Sequence, residues 1–191
     1  MRAQPDVSTY SIPAPMSPRL ALWRLCRSVG AVVAAAPPRD VPRRVAALRP
    51  GILAVPGLLT PEQMTAPPDG YGRNRVFLCP RDTFSILAMV WPAGVATPVH
   101  DHRDWCAFGV YQGMIEEARY EPVDASPECT RAVERKIQSH RAGAAAHLPV
   151  GAPNIHRICN PTGDAAVSIH VYGGNCETRG PNLDRIYTVE P

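Results

Sequence analysis

The sequence contains no apolar run of 18 residues, so no segment of it reads as a membrane-spanning helix. It has no block of Lys or Arg, and its net charge is only +3; neither a nucleic-acid surface nor an anionic-membrane surface is expected. There is no Cys-x-x-Cys pair. The six cysteines (Cys26, Cys79, Cys106, Cys129, Cys159 and Cys176) are scattered, which does not match a zinc ribbon. A chain of 191 residues also needs no disulfide staples to hold a core. Most of these thiols are therefore read as free and buried, in a reducing, cytoplasmic setting. Charged residues are sparse at 19% while hydrophobic ones reach 45%, a composition too apolar for a disordered chain.

Proline is in excess: there are 22, roughly twice the usual share. Its missing N–H and fixed φ break helix interiors, so a loop-rich, strand-heavy fold is expected rather than a helical bundle. Residues 1–17 carry Pro5, Pro13 and Pro15 without an apolar period and read as a flexible leader. Ser17-Pro18 then has the form of a helix start, a capping hydroxyl followed by Pro in the first turn. Leu22, Leu25, Cys26, Val29, Val32 and Val33 follow at helical spacing. Arg24 and Arg27 before SVGAVVAAAP resemble a secretory signal, but the amphipathic period favours a docking helix. Short helices are expected at 42–48 and from Thr60-Pro61.

From Tyr71 onward short strands alternate with Gly, Pro and Asp turns. Candidates are 83–91, 107–112, 115–121, 132–138, 155–159, 166–172 and 184–189. No internal repeat marks a second domain. The expected architecture is mostly β: one domain over 18–191, with a helical part at 18–66 packed on a small antiparallel barrel at 71–191.

The chemistry-bearing residues lie in that second part. In PVHDHRDW, His100 and His102 flank Asp101, and on a strand residues i and i+2 project to one face. His156 stands in PNIHRICN and His170 in AVSIHVYGGN. A lone buried His is usually a satisfied core residue; the frame around this pair is what lifts it. Gly94 precedes His100 by five intervening residues, three separate His102 from Cys106, and six separate Cys106 from Gly113. Further on, Pro149 and Gly151 precede His156, and Asn160 follows it.

This layout resembles the two motifs of the cupin superfamily, with one departure: Cys106 stands where the cupin pattern carries Glu. The resemblance then implies a metal set of three neutral imidazoles, His100, His102 and His156. A three-His cupin resembles the thiol dioxygenases, meaning cysteine dioxygenase and relatives that act on 3-mercaptopropionate and similar thiols. YGRN at 71–74, FSILAMVWPAG at 84–94, HDH at 100–102, IHR at 155–157 and Ser168-x-His170-x-Tyr172 carry that likeness.

Membership would imply iron(II) as cofactor, with a small thiol and dioxygen as substrates and a sulfinate as product. Imidazole suits ferrous iron, and three ligands on one face leave positions open. With no carboxylate ligand, the site is expected to keep the full charge of the ion and to favour an anionic thiolate. Zinc would fill three His equally well, so iron rests on the resemblance. Ser168, His170 and Tyr172 share a strand face and match the family's outer-sphere relay, with Tyr172 as the donor into the site. Arg73 is the implied carboxylate holder, because its guanidinium fork fits a carboxylate bidentately and Arg marks the cysteine-oxidising members at that place. Tyr71 is read as supporting the same pocket, and Arg179 as a further basic candidate or a surface residue.

Cys106 carries a further implication, since animal members join a Cys near this place to the catalytic Tyr through a thioether. A Cys106–Tyr172 bond and a merely small buried side chain both remain open readings. His140 and His147 lack a frame and read as surface or turn residues; Trp91 and Trp105 read as packing around the motifs. The alternatives are a dioxygenase of 3-mercaptopropionate or mercaptosuccinate, and, from another class, a non-catalytic cupin that binds a metal or a ligand. The oligomeric state is left open by the sequence.

Overall fold

The computed structural model describes residues 16–48, 50–149, 154–178 and 183–190. Most of the expected leader lies outside the described residues, as do Gly151 and Arg179. The first helix, α1 (Pro18–Ala35), starts where the sequence predicts: Ser17 Oγ accepts the Leu20 N–H at 3.3 Å, and Pro18 occupies the first turn. Ala21, Leu25 and Val29 recur at intervals of four and form its buried stripe. The helix stops at Ala36, which turns extended ahead of Pro37 and Pro38. A second helix, α2 (Val41–Ala47), buries Val41, Pro42, Val45 and Ala46. The helix expected from Thr60-Pro61 closes after a single 3-10 turn at Glu62–Met64. Thr60 and Gln63 cap one another there, yet Pro67 and Pro68 follow too soon for propagation.

The strands are β1 (Gly72–Leu78), β2 (Phe84–Trp91), β3 (His100–His102), β4 (Cys106–Gln112), β5 (Met114–Pro122), β6 (Arg131–Arg141), β7 (Ala145–Leu148), β8 (His156–Cys159), β9 (Ala166–Gly173), β10 (Leu183–Ile186) and β11 (Thr188–Glu190). They form two sheets, ordered β1-β2-β9-β4-β7 and β10-β3-β8-β5-β6-β11. All pairings are antiparallel except β11 on β6. The two sheets close on each other as a nearly complete barrel, as the short-strand rhythm predicts.

Burial explains why β2 and β9 are covered at every position. One face, with Ile86, Ala88, Val90, Val167, Ile169 and Val171, packs against the helices. The other, with Leu87, Met89, Trp91 and Tyr172, points into the barrel. The helices thus shield one side of the sheet that carries the Ser-His-Tyr segment. Truncating Leu25 to Ala in that layer costs about 2–5 kcal/mol. Gly113 makes the β4–β5 turn: φ is +74°, and a Cβ there would meet Ala166 Cα at 3.1 Å.

Two strands, β1 and β7, form where none was expected, and the run at 184–189 is broken at Tyr187, whose N–H donates to the Val99 carbonyl at 2.8 Å. All six cysteines are free, but only Cys106 and Cys129 are fully buried. Among the described residues, no helix is long and apolar enough to cross a membrane.

Candidate metal centre

β3 and β8 are register partners at His100 and His156, and His102 projects from the same face of β3 as His100. One ring nitrogen from each of the three histidines lies within 4.8 Å of the others, and all three side chains are buried. His100 Nδ1 is 2.9 Å from the Pro98 carbonyl, which only accepts, so the proton sits on Nδ1 and Nε2 keeps its lone pair. His156 Nδ1 likewise faces Glu117 Oε1 at 2.9 Å. His102 Nε2 and His156 Nε2 are 2.9 Å apart. At that separation one cation at an ordinary metal–nitrogen distance of about 2.1 Å can reach both nitrogens, so the donor set fits a single metal.

Charge state agrees with that fit. Burial, then the neighbouring His156, brings His100 down from 6.5 to about 3. Burial also lowers His156. Both rings are therefore neutral near pH 7, the form that ligates.

Glu117 was not anticipated. It lies on β5, is 1% exposed, and accepts from His156 Nδ1 at 2.9 Å, Arg119 Nε at 2.9 Å and His140 Nε2 at 3.2 Å. Its carboxyl is held well below the usual range by the donors His140 and His156, which outweigh the cost of burial. His140 is therefore not a surface residue: it is 3% exposed and edge-on to Phe108 inside the barrel. His147 is half-buried in β7, and its carbonyl receives Arg119. The ligand group itself contains no carboxylate, as expected, but one lies a single hydrogen bond behind His156. Alternation could have flagged it: Ile115 and Glu117 share the inward face of β5.

Asp101, between the paired histidines, ties the second sheet together. Its carboxylate accepts the Arg185 backbone N–H at 2.7 Å, Arg185 Nε at 3.0 Å and the Tyr187 hydroxyl at 2.7 Å. These bonds hold β10 against β3 and place Leu183 at the cavity.

The relay segment is connected end to end. Trp91 Nε1–H donates to Ser168 Oγ at 2.9 Å, Ser168 Oγ is 2.9 Å from His170 Nε2, and His170 Nδ1 is 3.0 Å from the Tyr172 hydroxyl. Trp91 packs as expected and also supplies a donor that the sequence reading gave it no part in. The indole can only donate, so Ser168 accepts there, and the Ser168 hydroxyl keeps a proton and a second lone pair for its contact with His170 Nε2. With the Ser168 proton on His170 Nε2, the His170 proton lies on Nδ1 facing Tyr172, which turns the phenol O–H towards the cavity. Burial pushes the Tyr172 hydroxyl well above its ordinary pKa, so it remains a proton donor. Phe108 stacks on His170 at 5.1 Å and fixes the ring plane.

Tyr71, Arg73, Met89, Trp91, Ile158 and Leu183 close the cavity around His100, His102, His156, His170 and Tyr172. The open space is about 20 Å³, little more than one water needs. Tyr71 stacks on Trp91 at 5.0 Å. Arg73 is half-buried, and no carboxylate among the described residues pairs with it. Cys106 lies behind the cavity, directly across from Tyr172 in the β4–β9 register, with its sulfur 3.8 Å from His170 Nδ1. Trp105 packs in the outer layer, where a Cβ on Gly173 would strike its Nε1 at 2.8 Å.

A family model described as cysteine dioxygenase type I matches residues 63–179. Solved structures to which the chain is similar include a protein from Thermus thermophilus, 17% identical, covering 59% of this chain and 91% of that one, with a TM-score of 0.47. A Cupin 2 conserved barrel domain protein from Salinispora arenicola is 19% identical over 60% of this chain and 83% of its own, at a TM-score of 0.41. A double-stranded β-helix protein from Klebsiella pneumoniae is 15% identical over 66% and 93%, at 0.45.

Proposed function

The chain belongs to the cysteine dioxygenase type I family, and on that footing we propose that it is an iron(II)-dependent thiol dioxygenase whose first substrate is L-cysteine. The reaction converts a thiol and one dioxygen to a sulfinic acid, with both oxygen atoms retained on sulfur. His100, His102 and His156 hold the metal through their Nε2 lone pairs. A ferrous ion held there would supply what side chains lack, Lewis acidity for a thiolate and redox chemistry for dioxygen.

The protein's part is to bind, orient and donate. Arg73 has no carboxylate partner among the described residues and lines the cavity, so it is suited to take the substrate carboxylate as a charge-assisted pair. Tyr71, stacked on Trp91, limits the space beside it. The Trp91–Ser168–His170–Tyr172 chain holds the phenol at the cavity, and its burial-raised pKa keeps a proton there to donate towards the reacting atoms. Met89, Ile158 and Leu183 keep bulk water from the remaining wall. The reaction is assigned to the cytoplasm, where small thiols stay reduced.

One observation carries this reading: a triad of buried imidazoles with no carboxylate ligand shares a water-sized cavity with a guanidinium that no described carboxylate pairs. The test is oxygen uptake by the iron-loaded protein over a panel of thiols. L-Cysteine is expected to be oxidised fastest, and to a sulfinate. Faster turnover of 3-mercaptopropionate or mercaptosuccinate would reject the substrate assignment, and no uptake with any thiol would reject the activity.

A further inference from the structure

The three metal-type histidines are not backed alike. Behind His100 stands the neutral carbonyl of Pro98, two residues away on the same strand entry. Behind His156 stands the carboxylate of Glu117, delivered from β5, whose register sets Glu117 opposite Ile158 and Arg119 opposite His156. A carboxylate in a fully buried place is expensive, and an apolar side chain of similar size would serve the packing at least as well. Glu117 is instead surrounded by donors. Oε1 receives His156 Nδ1 and Arg119 Nε, each at 2.9 Å, while Oε2 receives Arg119 at 3.0 Å and His140 Nε2 at 3.2 Å. His140 is itself held edge-on by Phe108 at 5.3 Å. Both carboxylate oxygens are thus engaged, and Oε1 faces the rear nitrogen of His156.

We propose that Glu117 is the anchoring carboxylate of the metal centre. It fixes the proton of His156 on Nδ1, aims Nε2 at the ion and raises the donor strength of that ring, so that it sets how tightly a divalent metal is held. A charged acceptor polarises the imidazole more than a neutral carbonyl does, which makes His156 a stronger donor than His100. His140 and Arg119 are positioning residues for the carboxylate. The inference rests on the metal-binding part of the reading above and not on which thiol is oxidised.

The experiment uses the full chain stripped of metal and titrated with Co(II) and Zn(II) against a chromogenic chelator, below the unfolding transition of every variant. Glu117→Gln is expected to weaken metal binding about 10–100-fold and to shift the visible absorption of bound Co(II). Glu116→Gln changes a half-buried neighbour on the other face of β5 and is expected to leave both unchanged. A folded Glu117→Gln protein with unaltered affinity and an unaltered Co(II) spectrum overturns the proposal, even if its melting temperature falls. Should that variant not fold, Glu117→Asp keeps the charge but withdraws it from His156, and the same two readouts apply with the same outcomes. A wild-type chain that binds metal but oxidises no thiol would end the dioxygenase assignment and leave this inference standing.

Discussion

Tyr172 is the last link of a buried hydrogen-bond chain that runs from Trp91 through Ser168 and His170. Removing the phenol oxygen by Tyr172→Phe is expected to lower kcat about 10²-fold with little change in KM, because the lost bond acts on the reacting atoms. Steady-state oxygen uptake reads this directly; an equal rise in KM at constant kcat would place Tyr172 in binding instead. Arg73→Gln should do the opposite, raising KM for a carboxylate-bearing thiol by about tenfold or more, since a charge-assisted bond is worth about 1.5–3 kcal/mol. Cys106 faces Tyr172 across the β4–β9 pair, close enough for side chains to touch. Turnover with iron, thiol and dioxygen is expected to yield some chains lighter by two hydrogens, with the Cys106 and Tyr172 peptides joined and dioxygen as the oxidant. An unmodified Tyr172 peptide after turnover would leave Cys106 as a small buried side chain. At this scale the sequence carried the histidines well, because the His-x-His pair and Ser-x-His-x-Tyr need only a strand's two-residue period to share a face. It did not carry Glu117 or His140, whose roles come from a meeting of β5, β6 and β8 that no local spacing encodes.

Among the elements, β3 is three residues long and would be a weak strand alone. It is held on one side by β8 and on the other by β10, through Asp101 and its bonds to Arg185 and Tyr187. Asp101→Asn keeps the size but removes the charge facing the Arg185 guanidinium. The expected outcome is loss of protection of the β10 amides in hydrogen exchange and a lower Tm, by about 2–4 °C for each kcal/mol lost. Unchanged exchange in β10 would show that main-chain pairing alone holds it. The helix α1 was legible because cap, proline and apolar period agree. Strand β7, in an alanine-rich stretch, was not: AAHL has no alternation, and it becomes a strand by pairing with β4. Strand β1 was hidden by its polar start, whose Arg73 and Asn74 are half-buried at the barrel mouth.

For the whole molecule, the buried imidazoles couple stability to pH and to metal. In the metal-free protein His100 falls from 6.5 to about 3, and His156 is lowered as well. The unfolded chain therefore takes up protons below its ordinary His pKa that the folded chain refuses. Stability rises with pH wherever the unfolded state binds more protons, so it must drop as the pH falls from about 6.5. Glu117 adds to the loss further down, because its lowered carboxyl stabilises the fold above the ordinary Glu pKa and less below it. Melting curves of the stripped protein should shift downward between neutral pH and about 5, while a flat or rising Tm would contradict this. Saturating metal should raise Tm near neutral pH, by about 2.7 kcal/mol of stability at a hundredfold excess over Kd.

The proposed reaction is the addition of both atoms of dioxygen to a thiol. The measurement that bears on it most directly is turnover of L-cysteine by the iron-loaded protein under isotopically labelled dioxygen, with the product analysed by mass. The expected product is a sulfinate carrying the label on both oxygens, with one dioxygen consumed for each thiol. A disulfide, or a product that takes an oxygen from water, would contradict it.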